Sequence, residues 1–223
     1  MNVEELNKYV PDFVIDKFKK KKITNLNPAQ IKAINKGLLE GKNLLVCTPT
    51  GSGKTAIATI AITKNLTGHV GSKALYLVPL KALANEKHKD YEDLFIGSGF
   101  KVGCTTGDLD SRSEWLGKYD LLILTVEKLD SIIRHGCPWL NKIKTVIIDE
   151  VHLINDTERG PTLEILITML KQVLKECQII ALSATIGNPD ELAGWLGANL
   201  VIDKWRPVKL YQGTYLDGKI EFF

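Results

Sequence analysis

No stretch of this chain approaches the roughly 20 consecutive apolar residues that a membrane-spanning helix requires. The first apolar residues are interrupted by Glu4, Glu5, Lys8 and Asp12, so a secretory leader is not written there. Cysteine is scarce: Cys47, Cys104, Cys137 and Cys177 are far apart and form no C-x-x-C pair, which excludes a sequence-level zinc or disulfide framework. Three of them sit in or beside apolar runs, the surroundings of buried reduced thiols. Internal repeats and low-complexity tracts are missing too. The expectation is a soluble, cytoplasmic chain.

Excess charge is also lacking. The net charge is +3 over 223 residues, which permits a nucleic-acid partner without arguing for one. The one dense basic run, Lys19–Lys22, ends an amphipathic segment and reads as a solvated helix end. Composition is that of an ordinary globular protein, 44% hydrophobic and 25% charged.

What is present is alternation. Short apolar runs bounded by turn residues occur at Asn43–Cys47, Ala74–Val78, Val102–Thr105, Leu121–Thr125, Thr145–Ile148, Gln178–Leu182 and Leu200–Ile202. Stretches of helical period separate most of them, the clearest being Thr162–Glu176, with Pro161 at its start. Asn188-Pro189-Asp190-Glu191 reads as a capped helix start. Strands that are apolar throughout are buried on both faces, so the fold expected is α/β, a mainly parallel central sheet with helices on both faces. Ligands of such sheets bind at the carboxyl ends of the strands. Residues 1–40 read as a helical segment, 41–203 as the sheet domain, and 204–223 as a strand-like exit with a turn at Asp217-Gly218.

The chemistry sits at those strand ends. T-P-T-G-S-G-K-T spans Thr48, Pro49, Thr50, Gly51, Ser52, Gly53, Lys54 and Thr55, directly after the first strand and before an Ala/Ile-rich helix. Glycines let successive N–H groups turn inward as an anion nest, and the helix N-terminus adds partial positive charge. Lys54 supplies a full charge to the β- and γ-phosphates of a nucleotide, and the Thr55 hydroxyl is placed to ligate Mg²⁺. Thr48 stands where the generic phosphate loop has glycine. Asp149 and Glu150 follow the apolar run Thr145–Ile148, and two desolvated carboxylates need partners. Asp149 is the candidate Mg²⁺ ligand, partly through water, and Glu150 the candidate base for an attacking water. His152 lies two residues on, and Ser183-Ala184-Thr185 ends the next strand, where small hydroxyls could hydrogen-bond His152 and report nucleotide state.

In order, Asn27-Pro28-Ala29-Gln30, the phosphate loop, P-L-K-A-L-A at 79–84, T-G-D at 106–108, T-V-E-K at 125–128, D-E-V-H and S-A-T resemble the superfamily 2 DExH-box helicases. Longer stretches, W-L-G-K-Y-D at 115–120, E-K-L-D-S-I-I-R-H-G at 127–136, E-R-G-P-T-L-E at 158–164, L-S-A-T-I-G-N-P-D-E-L-A-G-W-L at 182–196 and W-R-P-V at 205–208, are similar to the archaeal Hjm-type DNA repair helicases, a branch related to the superkiller RNA helicases.

The resemblance implies a RecA-like P-loop motor domain using ATP and Mg²⁺ to move 3′ to 5′ on single-stranded or forked DNA, in repair or recombination at stalled forks or junctions. It implies that Gln30 reads the adenine edge, with Phe13 or Phe18 stacking on the base or serving the core. Pro79, Lys81, Ala82, Thr125, Glu127, Lys128 and Arg159 are implied to line the nucleic-acid track, gripping phosphates. His152, Ser183, Ala184 and Thr185 become coupling residues. A second RecA-like domain, in cis or in a partner chain, is implied to carry the arginine fingers. The chain is accordingly expected to be an N-terminal fragment or half of a split enzyme, poorly active alone. An RNA helicase of the sister branch, a non-catalytic ATP-switched regulatory module and, more distantly, a small-molecule kinase are the alternatives.

Overall fold

A computed structural model describes residues 1–106, 113–208 and 211–222. Gly107 and Asp108 of the T-G-D motif lie outside the described residues. The chain opens with a 3-10 helix over Val3–Lys8, then α1 (Asp12–Lys20) and α2 (Pro28–Asn35). The alternating part follows: β1 (Leu44–Cys47), α3 (Lys54–Gly68), β2 (Lys73–Val78), α4 (Lys81–Phe95) and β3 (Val102–Thr105). Next come β4 (Leu121–Thr125), α5 (Val126–His135), β5 (Ile143–Ile148) and α6 (Gly160–Val173). It closes with β6 (Gln178–Ser183), α7 (Pro189–Leu196) and β7 (Asn199–Ile202). No helix among the described residues is long and apolar enough to cross a membrane.

Seven strands form one sheet in the order β3-β4-β2-β5-β6-β1-β7. Every neighbouring pair is parallel. The strand pleat sorts side chains into two cores. Leu44, Val46, Ala74, Tyr76 and Val78 face one side, where Ile57 and Ile60 of α3 and Ala84 and Tyr91 of α4 pack on them. Leu45, Cys47, Leu75 and Leu77 face the other, under Leu129 and Ile132 of α5, Leu163 and Leu166 of α6, and Leu192 of α7. Each Leu, Ile or Val among them, fully removed from water, contributes about 1.5–3 kcal/mol of transfer free energy.

Local differences from the sequence reading have physical causes. Asn188 does not cap α7 through its side chain; its backbone sits at φ −126°, ψ 55°, and its amide instead donates to Glu191 Oε2 at 3.1 Å. The reciprocal capping box belongs to α2, where the Asn27 side chain accepts from Gln30 N–H and the Gln30 side chain accepts from Asn27 N–H, each at 3.0 Å. Beyond the sheet, β8 (Gly213–Leu216) and β9 (Lys219–Phe222) pair antiparallel. Asp217 and Gly218 turn between them with φ of 47° and 78°, the two left-handed residues of a type I′ hairpin.

Candidate nucleotide site and polar groove divided by the sheet order

The strand order separates two sets of residues that the chain interleaves. β5, β6 and β1 are neighbours, so Asp149-Glu150, Ser183-Ala184-Thr185 and the loop after β1 gather at one stretch of the sheet edge. β3, β4 and β2 are also neighbours, bringing together the segments that follow Thr105, Thr125 and Val78. The two sets meet where β2 pairs with β5.

In the first set, Gly51 and Gly53 take φ of 81° and 82°, which open the loop into a turn that side-chain-bearing residues resist. Thr48 Oγ1 and Ser52 Oγ lie 2.7 Å apart, bracing the loop internally. The Lys54 ammonium donates to Thr48 O at 2.9 Å and Pro49 O at 3.4 Å. Its pKa is pushed down by burial, while the charges of Glu150 and Asp149 oppose that. A desolvated ammonium resting on loop carbonyls, within the field of two carboxylates, is a suitable counter-charge for phosphate. Thr55 follows in the first turn of α3.

Gln30 is buried, and its amide is already engaged: besides the capping bond, Nε2 donates to Gly53 O at 3.3 Å. Asn27 Nδ2 donates to Ser52 O at 2.8 Å. The α2 N-terminus therefore clamps the phosphate loop, a role the sequence reading missed because N-x-x-Q spacing signals only the capping box. A Cβ on Gly53 would come within 2.6 Å of Gln30 Nε2, so only glycine admits the clamp. Phe18 is buried and, with Lys17, Lys21 and Thr55, lines a small cleft beside α3. Phe13 instead meets the Phe95 ring edge-on at 5.9 Å in the core.

Asp149 is held by two donors: Tyr76 OH to Oδ2 at 2.9 Å and Glu150 N–H to Oδ1 at 3.0 Å. Tyr76 was not singled out in the sequence, because in L-Y-L-V it reads as one more apolar strand residue. Burial, and then the charge of Asp149, raise its phenol well above the ordinary range, so it stays a donor. Glu150 itself is left-handed, φ 50°, an uncommon conformation for a side-chain-bearing residue. His152 Nδ1 lies 3.3 Å from Glu150 Oε2 and 3.4 Å from Ala184 N. The contact from the strand end to His152 thus comes from a backbone N–H, not from the hydroxyls of Ser183 or Thr185. Ser183 Oγ is buried beside the Cys47 thiol; burial raises that thiol, and its contact with Ser183 opposes the rise. Thr48 N donates to Ser183 O at 3.3 Å, tying the loop to β6.

In the second set, Pro79, Leu80, Lys81, Thr106, Thr125, Glu127 and Arg159 line one polar groove of about 250 Å³. Ala82 is exposed at the start of α4 but outside this lining. Lys128 is also outside this lining: it is buried, and its N–H donates to Thr125 Oγ1 at 3.4 Å, which caps α5.

A parallel sheet with a phosphate loop after its first strand, an acidic pair after its fifth and a small-residue turn after its sixth defines a P-loop motor-type ATPase domain of the RecA-like class. The DEAD/DEAH box helicase family profile matches residues 27–192, and the chain belongs to that family. It is 50% identical over 218 residues to the ATP-dependent DNA helicase Hel308 of Pyrococcus horikoshii, covering 98% of this chain and 30% of that protein. The Hel308 of Methanocella arvoryzae is 46% identical over 226 residues, covering 100% of this chain and 30% of the relative. The chain thus spans about 30% of the length of these curated relatives. Among solved structures, the DUF1998 helicase MrfA bound to DNA superposes with a TM-score of 0.76 at 26% identity, over 88% of this chain and 30% of that one.

Proposed function

We propose that the chain is the ATP-binding first motor domain, residues 41–203, of an ATP-dependent DNA helicase that moves 3′ to 5′ on single strands in repair at forks or junctions. The observation carrying this reading is that the strand order brings the phosphate loop after β1 and the Asp149-Glu150 pair after β5 to one stretch of the sheet edge. The likeness to Hel308 proteins supports DNA as the polymer.

In this reading the loop N–H groups from Gly51 to Thr55 bind the phosphates, and Lys54 exchanges its carbonyl contacts for β- and γ-phosphate oxygens. The Thr55 hydroxyl and the Asp149 carboxylate are hard oxygen donors at the two sides of that loop, a set that fits Mg²⁺. The metal, when bound, neutralises phosphate charge. Glu150 orients a water and takes its proton. Strand phosphates lie along the groove of Pro79, Lys81, Thr125, Glu127 and Arg159, where Lys81 and Arg159 supply the cations. His152 and Ala184 couple the acidic turn to the β6 end. Residues 204–223 lead toward a second RecA-like domain that supplies arginine fingers.

The test is nucleotide hydrolysis by the complete protein with single-stranded DNA or RNA, and by the 223-residue chain alone. Stimulation by DNA in the complete protein, with the short chain nearly inactive, is the expected result. Stimulation by RNA only, or robust turnover by the short chain, overturns the reading.

A further inference from the structure

The structure assigns Tyr76 as a positioning residue for Asp149, an assignment that rests on the Mg·nucleotide reading of the site. Its ring is wholly buried on the α3–α4 face of the sheet, so its hydroxyl has a fixed place. β2 and β5 run side by side with Tyr76 opposite Ile147, and Asp149 N–H donates to Leu77 O at 2.9 Å. That pairing carries β5 one step past its last strand residue and delivers the Asp149 carboxylate to the Tyr76 hydroxyl at 2.9 Å.

With Glu150 N–H on Oδ1 and Tyr76 OH on Oδ2, both carboxylate oxygens are held, and rotation about the Asp149 side chain breaks at least one bond. A carboxylate that must accept a metal or its waters at its remaining lone pairs gains affinity from such fixing, because its orientation is settled before the ligand arrives. Tyr76 also lies three residues before Pro79, on the strand that feeds the polar groove. The residue orienting the metal-side carboxylate is thus supplied by the strand that leads to the groove, across the one strand pair where the two sets of residues meet.

The experiment is ADP binding by calorimetry to the 223-residue chain, with Mg²⁺ and with EDTA, for the unaltered protein, Tyr76→Phe, Tyr91→Phe and Asp149→Asn. Tyr91 packs its ring 5.7 Å from that of Tyr76 and bonds Thr59, so Tyr91→Phe removes a buried hydroxyl from the same pair without touching Asp149. In Tyr76→Phe, affinity for metal-free ADP should stay within about twofold while the gain from Mg²⁺ falls about 10-fold, the low end of the range for a lost partner of a metal ligand. Tyr91→Phe should keep the gain, and Asp149→Asn should lose it.

An unchanged Mg²⁺ gain in Tyr76→Phe, or an equal loss in Tyr91→Phe, overturns the assignment while leaving the site reading intact. No Mg²⁺ gain in the unaltered protein overturns both. If Tyr76→Phe melts far below the unaltered protein without nucleotide, the same titrations are run at a temperature where it and Tyr91→Phe are folded by circular dichroism. Loss of the Mg²⁺ gain in Tyr76→Phe alone supports the assignment, and loss in both or in neither overturns it.

Discussion

The Lys54 ammonium rests 2.9 Å from the carbonyl oxygen of Thr48, so the cation of the phosphate loop is held by the loop itself. Burial lowers its pKa despite the opposing pull of Glu150 and Asp149, so its charge is stabilised further when phosphate arrives. Lys54→Ala should weaken ADP binding at least about 10-fold, since a charge-assisted phosphate contact contributes about 1.5–3 kcal/mol. Folding stability should change little. Fluorescent-nucleotide titration and urea unfolding separate the two effects.

Glu150 is set in a left-handed turn at the β5 end, with His152 Nδ1 3.3 Å from its carboxylate. In the function proposed, it takes the proton of the attacking water, so it should be needed for turnover and not for binding. In the complete protein, Glu150→Gln should retain ATP binding within a few-fold and lose roughly 10²-fold or more in kcat. Survival of turnover would show that another group is the base.

Gly160 opens α6 with its Cα against the carbonyl of Ile154; a Cβ there would lie 2.2 Å from that oxygen. Backbone cannot yield as a side chain does. Gly160→Ala should lower unfolding free energy by about 1–3 kcal/mol and disturb Arg159 beside it. Gly194, inside α7 with open space around it, should respond with the opposite sign. There, alanine should add about 0.5–1 kcal/mol. Paired urea curves check both.

Asp203 leaves β7 and meets Lys32 of α2 at 2.8 Å, also accepting from Trp205 N–H at 2.7 Å. Burial alone would raise its carboxyl, but these two partners hold it below the ordinary carboxylate value. A depressed pKa stabilises above the unfolded value, near 4, and that stabilisation is lost as pH falls through the folded value. Because Lys32 is half exposed, the pair contributes only about 1 kcal/mol. Asp203→Asn should therefore cost about that much at pH 7, and the cost should fade as the pH falls below about 4, the unfolded value. Thermal or urea unfolding across that range is the check.

The seven apolar runs are the seven strands within one or two residues: strands buried on both faces need unbroken apolar sequence with turn residues at their ends, although the edge strand β7 is largely exposed. The phosphate loop was legible for a similar reason: glycine spacing and a lysine before a helix are local requirements of anion binding. Which segments stand side by side was not local. Nothing in the text of L-Y-L-V says that β2 lies beside β5, yet that adjacency turns Tyr76 from core filler into the donor on Asp149.

Gln30 and Lys128 make the same point from the other side. The resemblance implies a ligand for each, and both are buried: the Gln30 amide donates to Gly53 O, while the backbone N–H of Lys128 donates to Thr125 Oγ1. The sequence by itself determined the strands, the loop and the acidic pair, since each depends on residues a few positions apart. Only the tertiary structure decided the strand order, and with it the separation of nucleotide residues from groove residues, because parallel pairing joins segments distant in the chain through hydrogen bonds that any sequence can make.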